Sequence, residues 1–379
     1  MTSVSPPAAP LLHTPLHTLH QALGARMVEF AGYAMPVQYP QGLLAEHRQT
    51  REHASLFDVS HMGQISVSGP QAALALERVL PVDIVDLPLH KQRYALLLGE
   101  DGGILDDLMV VHRGSDYLLI VNAARKTQDF AWLQQHIGQD CSVQALPDMA
   151  LLALQGPQAS AVLQALLPAT STLLFMQGLP MSFEDAQGYV TRSGYSGEDG
   201  FEIAIPASHA EKLARMLLAM PEVQPAGLGA RNSLRLEAGL CLYGSDMDAT
   251  TTPSQAALLW SIPKVRRLGG ARAGGFIGAD TVLPQIAGQT PVETLRVGLQ
   301  ALDRVPVRDG TALHLPGGPQ IGQVTSGLLS PSLDYPIAMG YVSTAHSAIS
   351  TQLHAMVRGK AVPMEIVPMP FIGPRYRKS

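Results

Sequence analysis

Residues 94–123 read "YALLLGEDGGILDDLMVVHRGSDYLLIVNA". Its apolar runs "YALLL", "ILDDLMVV" and "YLLIVNA" are separated by the tight turns "GEDGG" and "HRGSD". Runs of strand length joined by glycine turns make antiparallel hairpins, so the segment is a β-meander. Helix-like segments flank it without strict βαβ alternation. The fold class expected is therefore α+β.

Nearer the N-terminus, "TPLHTLHQALG" carries Pro15 in a first helical turn and Gly24 at its end. "GLLAEHRQTREHA" follows as a second helix and "MGQISVSG" as a strand. Beyond the meander, residues 126–136 and 157–167 are helix-like. A further hairpin begins near Thr191, where "GYSGEDG" turns into "FEIAIP", and "PAGLGARNSLRLEAGLCLYG" is helical. "RRLGGARAGG" after Trp260 is a glycine-rich, basic linker or mobile loop. From Thr294 short strands succeed one another with no helix between them, as in a small barrel or sandwich of about ninety residues. The expected organisation is a flexible N-terminus 1–11, a main region 12–270, a linker 271–292 and a C-terminal β domain 293–376. "GEDG" occurs at Gly99 and again at Gly197. That is a weak sign of duplication, because the same letters are ordinary turn chemistry.

The 379 residues are 46% hydrophobic and 15% charged, with a formal net charge of -5. No apolar run reaches the length of a membrane span, and no long basic stripe points to nucleic acid. Lys264, Arg266 and Arg267 form the tightest basic cluster, read as a solvated loop or a docking point for an acidic group. Cys141 and Cys241 are far apart and form no CxxC pair, so neither a disulfide framework nor a zinc site is indicated. "MTSVSPPAAP" has neither a signal-peptide core nor an Arg-rich transit pattern. A reducing cytoplasm is the compartment expected.

Asp106 and Asp107 interrupt an apolar strand, where an unpaired charge is costly to bury. On a strand they point to opposite faces, Asp106 with Ile104, Leu108 and Val110, Asp107 with Leu105, Met109 and Val111. The plainer reading is an exposed sheet edge that discourages aggregation. The alternative is a carboxylate in an apolar cleft, suited to acid, base or cation-stabilising work. Glu202 in "FEIAI" reads as the exposed face of a half-buried strand, and Arg231 as a surface arginine on a helix. "GYSGEDG" leads into a strand rather than a helix, so it is no dinucleotide fingerprint. His13, His17 and His20 can share one face of a surface helix, with a metal site the lesser alternative. His61 in "DVSHMG" is a lone turn histidine, usually a hydrogen-bonder.

Taken together, "VEFAGYAMPVQY", "LFDVSHMGQ", "GGILDDLMV", "ALQGPQA", "GYSGEDGFEI", "GLGARNSLRLEAGLCLYG", "VTSGLLSPSLDYPIAMGYV" and "MPFIGPRY" resemble the T-protein of the glycine cleavage system. That family is the tetrahydrofolate-dependent aminomethyltransferases, and the resemblance runs in order along nearly the whole chain. It implies a folate-binding region of two α+β subdomains plus a small C-terminal β-barrel, three domains in a cloverleaf-like arrangement around a central opening. It implies transfer of an aminomethyl carbon from the lipoyl arm of H-protein to tetrahydrofolate, with release of ammonia. Tetrahydrofolate is then a co-substrate, no metal is required, and H-protein is a transient partner of a monomer. The P- and L-proteins of the system are reached only indirectly.

The resemblance makes Asp107 the catalytic carboxylate and leaves Asp106 a structural part. A fixed carboxylate about 4 Å from a developing cation is worth about 4 kcal/mol at an effective dielectric near 20. It makes Glu202, Arg231 and Tyr376 folate-binding residues, with Tyr94, Asn122 and Tyr195 where further folate contacts cluster. Asn232 stands where the family usually has Asp, which weakens any anchor it offers Arg231. Ser245 and Ser196 replace commoner family residues away from Asp107. A folate-binding scaffold related to iron–sulfur cluster maturation proteins is the rival, but its "KGCYxGQE"-like motif is absent.

Overall fold

The computed structural model describes residues 10–379. Of the segment 1–11 read as flexible, residues 1–9 lie outside the described residues. Helix α1 (His17–Ala22) leads into the hairpin β1 (Arg26–Phe30) and β2 (Tyr33–Gln38), then α2 (Leu43–Glu52) and β3 (Ala54–Asp58). A first unit follows: β4 (Gly63–Ser68), α3 (Ala72–Val79), β5 (Gln92–Leu98), β6 (Ile104–His112), β7 (Asp116–Val121), α4 (Lys126–Ile137) and β8 (Ser142–Ala145). A second unit repeats that order: β9 (Met149–Gln155), α5 (Ala159–Leu166), β10 (Gly178–Phe183), β11 (Ala186–Thr191), β12 (Gly200–Pro206), α6 (Ala207–Leu218) and β13 (Val223–Pro225).

The sheet orders confirm the repetition. The first sheet runs β5-β6-β7-β4-β8, and the second runs β10-β11-β12-β9-β3-β13, the same order with β3 inserted. Duplication is therefore present in the topology, but "GEDG" does not mark it. The first copy turns β5 into β6 and the second turns β11 into β12, which are not equivalent positions.

Each sheet has helices on one face and the other sheet on its second face. Leu119 and Val121 of β7 pack with Leu76 and Leu133 from α3 and α4. Leu118 and Ile120, one residue out of phase, pack with Leu151, Tyr189 and Ala204 of the opposite sheet. Burial on both faces is why "YLLIV" is a continuous apolar run rather than an alternating one. The α+β class read from the meander is the class observed.

Helix α7 (Leu228–Glu237) is shorter than "PAGLGARNSLRLEAGLCLYG" implied. It stops because Gly239 takes a φ of +68°, a conformation that suits glycine and ends helices. The basic segment beyond it is no solvated loop. Arg266 is buried, with Nη1 2.9 Å from Glu77 Oε2 on α3, and Arg267 donates to the carbonyls of Leu259 and Ile262. Only Lys264 of that cluster faces solvent. The residues read as a linker carry α8 (Ala279–Ile286), whose Val282 and Leu283 pack with Ile104.

The chain ends in β14 (Thr294–Ala301), β15 (Ala312–His314), β16 (Gln320–Leu329), β17 (Pro336–Ser343), β18 (Gln352–Val357) and β19 (Lys360–Val367). These close into a barrel in the order β14-β17-β16-β15-β18-β19, filled by residues such as Leu299, Leu313, Leu353 and Ile366. The barrel docks on α7 through Leu236, Ile337 and Met339. Glu237 strengthens that joint, accepting from Arg51 of α2 and from Ser332 beyond β16.

Candidate active site

Asp106 and Asp107 do not lie at a sheet edge. Strand β6 runs between β5 and β7, and Asp106 is fully buried. The turn that launches it is tightly enclosed: a Cβ on Gly103 would come 1.8 Å from the Ala249 carbonyl oxygen, so only glycine fits. Register then delivers the partners of the two carboxylates. Leu96 pairs with Asp107, which puts Tyr94 diagonally across the same face, and its hydroxyl donates to Asp107 Oδ2 over 3.0 Å. Met109 pairs with Ile120, so continuing that ladder sets Asn122 opposite Asp107. The Asn122 Nδ2 reaches Asp107 Oδ1 and Asp106 Oδ1, each at 2.8 Å, and its backbone N–H reaches Asp106 Oδ2 at 3.0 Å.

Burial, then the neighbouring Asp106 charge, pushes the Asp107 carboxyl up to about 7, although Tyr94 and Asn122 favour its ionised form. Asp107 is thus half-buried, hydrogen-bonded and able to change charge near neutrality. Such a group is a candidate acid, base or cation stabiliser.

Tyr195 extends the site from the "GYSGEDG" loop. Its hydroxyl donates to the Cys241 carbonyl, and the Arg231 guanidinium lies 4.6 Å from its ring centroid. Arg231 is half-buried in the first turns of α7, and among the described residues it makes no ion pair. Burial holds its pKa below the usual value, opposed by Tyr195 and Glu202. Glu202 on β12 is half-buried, and its Oε2 accepts from Ser193 Oγ at 2.5 Å. An unpaired cation, a carboxylate and a π face together suit a planar ligand with paired hydrogen-bonding edges.

Of the residues the resemblance implied, Asp107, Tyr94 and Asn122 touch directly, Tyr195 packs on Arg231, and Glu202 stands on the strand that follows the Tyr195 loop, near enough for its charge to act on Arg231. Tyr376 joins a separate cluster: its ring stacks on Phe175 with centroids 3.9 Å apart, near Arg51 and Glu198. Asn232 is not an anchor for Arg231. It is exposed, and its Oδ1 accepts from Arg235 Nε at 2.9 Å, while Arg235 also pairs with buried Asp246. Ser196 is buried and donates to Gln155 Oε1, bracing the loop that carries Tyr195.

The histidines fall differently from a shared surface face. His13 and His17 stack, but His20 is buried between Asp58 Oδ2 at 2.8 Å and the Tyr39 hydroxyl at 2.9 Å. His61 is buried too, and burial with the Arg231 and Lys126 charges lowers it to about 4, so it is neutral.

Two further residues belong to the site. Trp260, 63% exposed, stacks on Tyr94 with centroids 5.0 Å apart. Asp129 on α4 is buried behind the sheet, where it acts on the Asp106 carboxyl. An aromatic before a basic run offered a faint signal for the first; nothing local marked the second.

Two family models match the chain: the GCVT N-terminal domain over residues 16–266, and the glycine cleavage T-protein C-terminal barrel domain over residues 295–372. The chain is 42% identical over 374 residues to a probable mitochondrial aminomethyltransferase of Schizosaccharomyces pombe, covering 97% of this chain and 95% of that one. It is 43% identical to the human mitochondrial aminomethyltransferase, covering 97% and 91%. The crystal structure of glycine cleavage system aminomethyltransferase T from Bartonella henselae superposes with a TM-score of 0.92 at 44% identity, covering 97% of this chain and all of that one.

Proposed function

The chain belongs to the glycine cleavage T-protein family, and from that premise we infer its reaction. It is a tetrahydrofolate-dependent aminomethyltransferase of the glycine cleavage system. The carbon donor in our reading is the aminomethylated lipoyl arm of H-protein, which docks transiently on a monomer. The products are 5,10-methylenetetrahydrofolate, ammonia and the dihydrolipoyl arm, and the P- and L-proteins act only through the same carrier.

Tetrahydrofolate supplies the amines that accept the carbon. Glu202 receives the adjacent N–H groups of the pterin edge, and Arg231, which makes no ion pair among the described residues and lies over Tyr195, turns toward the pterin's acceptors. Tyr195 lends a π face beside Arg231, and Tyr94 and Asn122 hold Asp107 toward the reacting amine. For Tyr376, stacked on Phe175 beside Arg51 and Glu198, a folate role rests on the family resemblance. Asp107 opposes the positive charge that develops during transfer, worth about 4 kcal/mol at about 4 Å and an effective dielectric near 20. With its carboxyl pushed up to about 7, it can also take a proton at neutral pH.

We assign the chemistry to residues 12–270 and a bracing role to the barrel, 293–376. No described helix is long and apolar enough to cross a membrane. Two buried free cysteines accord with a reducing, cytoplasmic setting, although the S. pombe and human relatives are named mitochondrial.

The observation that carries these roles is the Asp107 carboxylate gripped by Tyr94 and Asn122. The test is methylenetetrahydrofolate formation from aminomethylated H-protein by wild type and Asp107→Asn. Wild-type turnover that collapses in the variant, with folate binding kept, supports the reading. Full turnover in Asp107→Asn would remove Asp107 from the chemistry, and folate binding without wild-type turnover would overturn the assigned reaction.

A further inference from the structure

Asp129 reaches the reaction from behind the sheet. It stands on α4, 1% exposed, with its carboxyl beside that of the fully buried Asp106 and close enough to perturb it. Two neighbouring carboxyls in a dry sheet–helix interface cannot both ionise, so one of them keeps a proton. Donors decide which. Asp106 receives the backbone N–H and the Nδ2 of Asn122, at 3.0 and 2.8 Å. The Asp129 Oδ2 is buried and receives no donor from any described residue. A carboxyl oxygen without donors beside a carboxylate that has two is the one that must carry hydrogen. Burial and the Asp106 charge push Asp129 up to about 10, against the smaller pull of Arg125.

We propose, resting on the aminomethyltransferase reading, that Asp129 is a positioning residue. As the neutral member of the pair it donates to Asp106, which in turn fixes Asn122 and keeps one negative charge behind Asp107.

That charge has no rival among the groups facing Asp107. Tyr94 from β5 is raised by burial and stays neutral. Tyr195 and Cys241, from the loops opposite, are raised by burial as well, Cys241 to about 12. Asn122 at the end of β7 is uncharged, and Arg125 before α4 donates to the Leu105 carbonyl. Asp106 is the first charge among the influences on Asp107. Whatever governs the proton on Asp106 therefore governs the titration of Asp107.

Asp129→Asn and Asp129→Leu separate this role from simple packing. An asparagine amide still donates to Asp106, so the acid limb of the transfer rate should stay at its wild-type pH. Leucine offers no donor, Asp106 takes up the proton itself, and the limb should move about 1 unit or more to lower pH. A limb that moves in neither variant, or equally in both, overturns the proposal. Infrared spectroscopy supplies a second readout that needs no turnover and no leucine variant. Wild type should keep a protonated-carboxyl band above pH 8 that disappears in Asp129→Asn; absence of that band in wild type overturns the proposal. A wild type that shows the band but no transfer would sink the aminomethyltransferase reading and leave the carboxyl pair standing.

Discussion

The Tyr94 hydroxyl donates to Asp107 Oδ2 over 3.0 Å while its ring lies against Trp260. The stacking fixes the ring, so the bond length is set by β5 and the 259–261 turn rather than by Asp107 alone. Tyr94→Phe keeps the ring and removes a donor to the ionised carboxylate. The Asp107 carboxyl should then rise above its value of about 7, by about 1 unit for a charge-assisted hydrogen bond. The expected profile of kcat/KM has its acid limb displaced upward, with activity lost at pH 7 and largely recovered at pH 8.5. An unmoved limb would show that Tyr94 does not tune Asp107.

Among the described residues the Glu202 side chain makes one hydrogen bond, to Ser193, and its charge acts on Arg231, which makes no ion pair there. Glu202→Gln retains size and an acceptor for Ser193 but gives up the charge. The expected outcome is tetrahydrofolate binding weakened by about 10- to 100-fold, the equivalent of about 1.5 to 3 kcal/mol. Titration calorimetry measures it directly. Unchanged affinity would take Glu202 out of the folate site.

How legible the molecule was depended on the range of the interaction. The meander is set by turns of a few residues, and "GEDGG" and "HRGSD" announce them locally. The buried state of Asp106 is not local: it depends on β7 covering one side of β6 and α4 covering one face. Asp129 lies in "KTQDFAW" with nothing nearby to say that it meets Asp106. Arg266 and Glu77, 189 positions apart, are equally silent about each other. Asn232 misleads for a geometric reason. Adjacency suggests Arg231, but residues three apart share a helix face, and Arg235 is its partner. Helix α3, "AALALERV", escapes notice because an apolar run that short has no clear period.

Glu77 is the hub of an ion cluster outside the site. Its Oε1 accepts the backbone N–H groups of Ile84 and Val85, each at 2.9 Å, and its Oε2 accepts from Arg266 and Arg272. Glu77→Ala leaves Arg266 buried without its carboxylate, a change that costs about 3 to 5 kcal/mol. Urea unfolding should show a lower midpoint, and transfer activity per folded molecule should be unchanged. Glu77→Gln, which can still accept from both backbone groups, should lose less. A variant as stable as wild type would mean that the cluster contributes nothing net.

The Asp107 carboxylate should make stability depend on pH. Its carboxyl rises from 3.8 to about 7 on folding. Between those values the native state binds more protons than the unfolded chain, so stability falls as pH rises through that window and levels off above it. Shift alone makes the ionised group cost on the order of 4 kcal/mol, trimmed by the solvent that reaches a half-buried carboxylate. Asp107→Asn removes the cost, less the worth of the Tyr94 bond. At pH 8 the variant should be more stable by about 1 to 3 kcal/mol, and the gain should nearly vanish at about pH 3, where Asp107 is largely protonated in both states. Denaturant curves at the two values measure the difference. Asp107 destabilises this fold in the form that works, as functional charges do when held in sites shaped for a reaction. A variant no more stable than wild type at pH 8 would mean that the carboxylate is better solvated than its surroundings imply, and that its titration lies nearer 4 than 7.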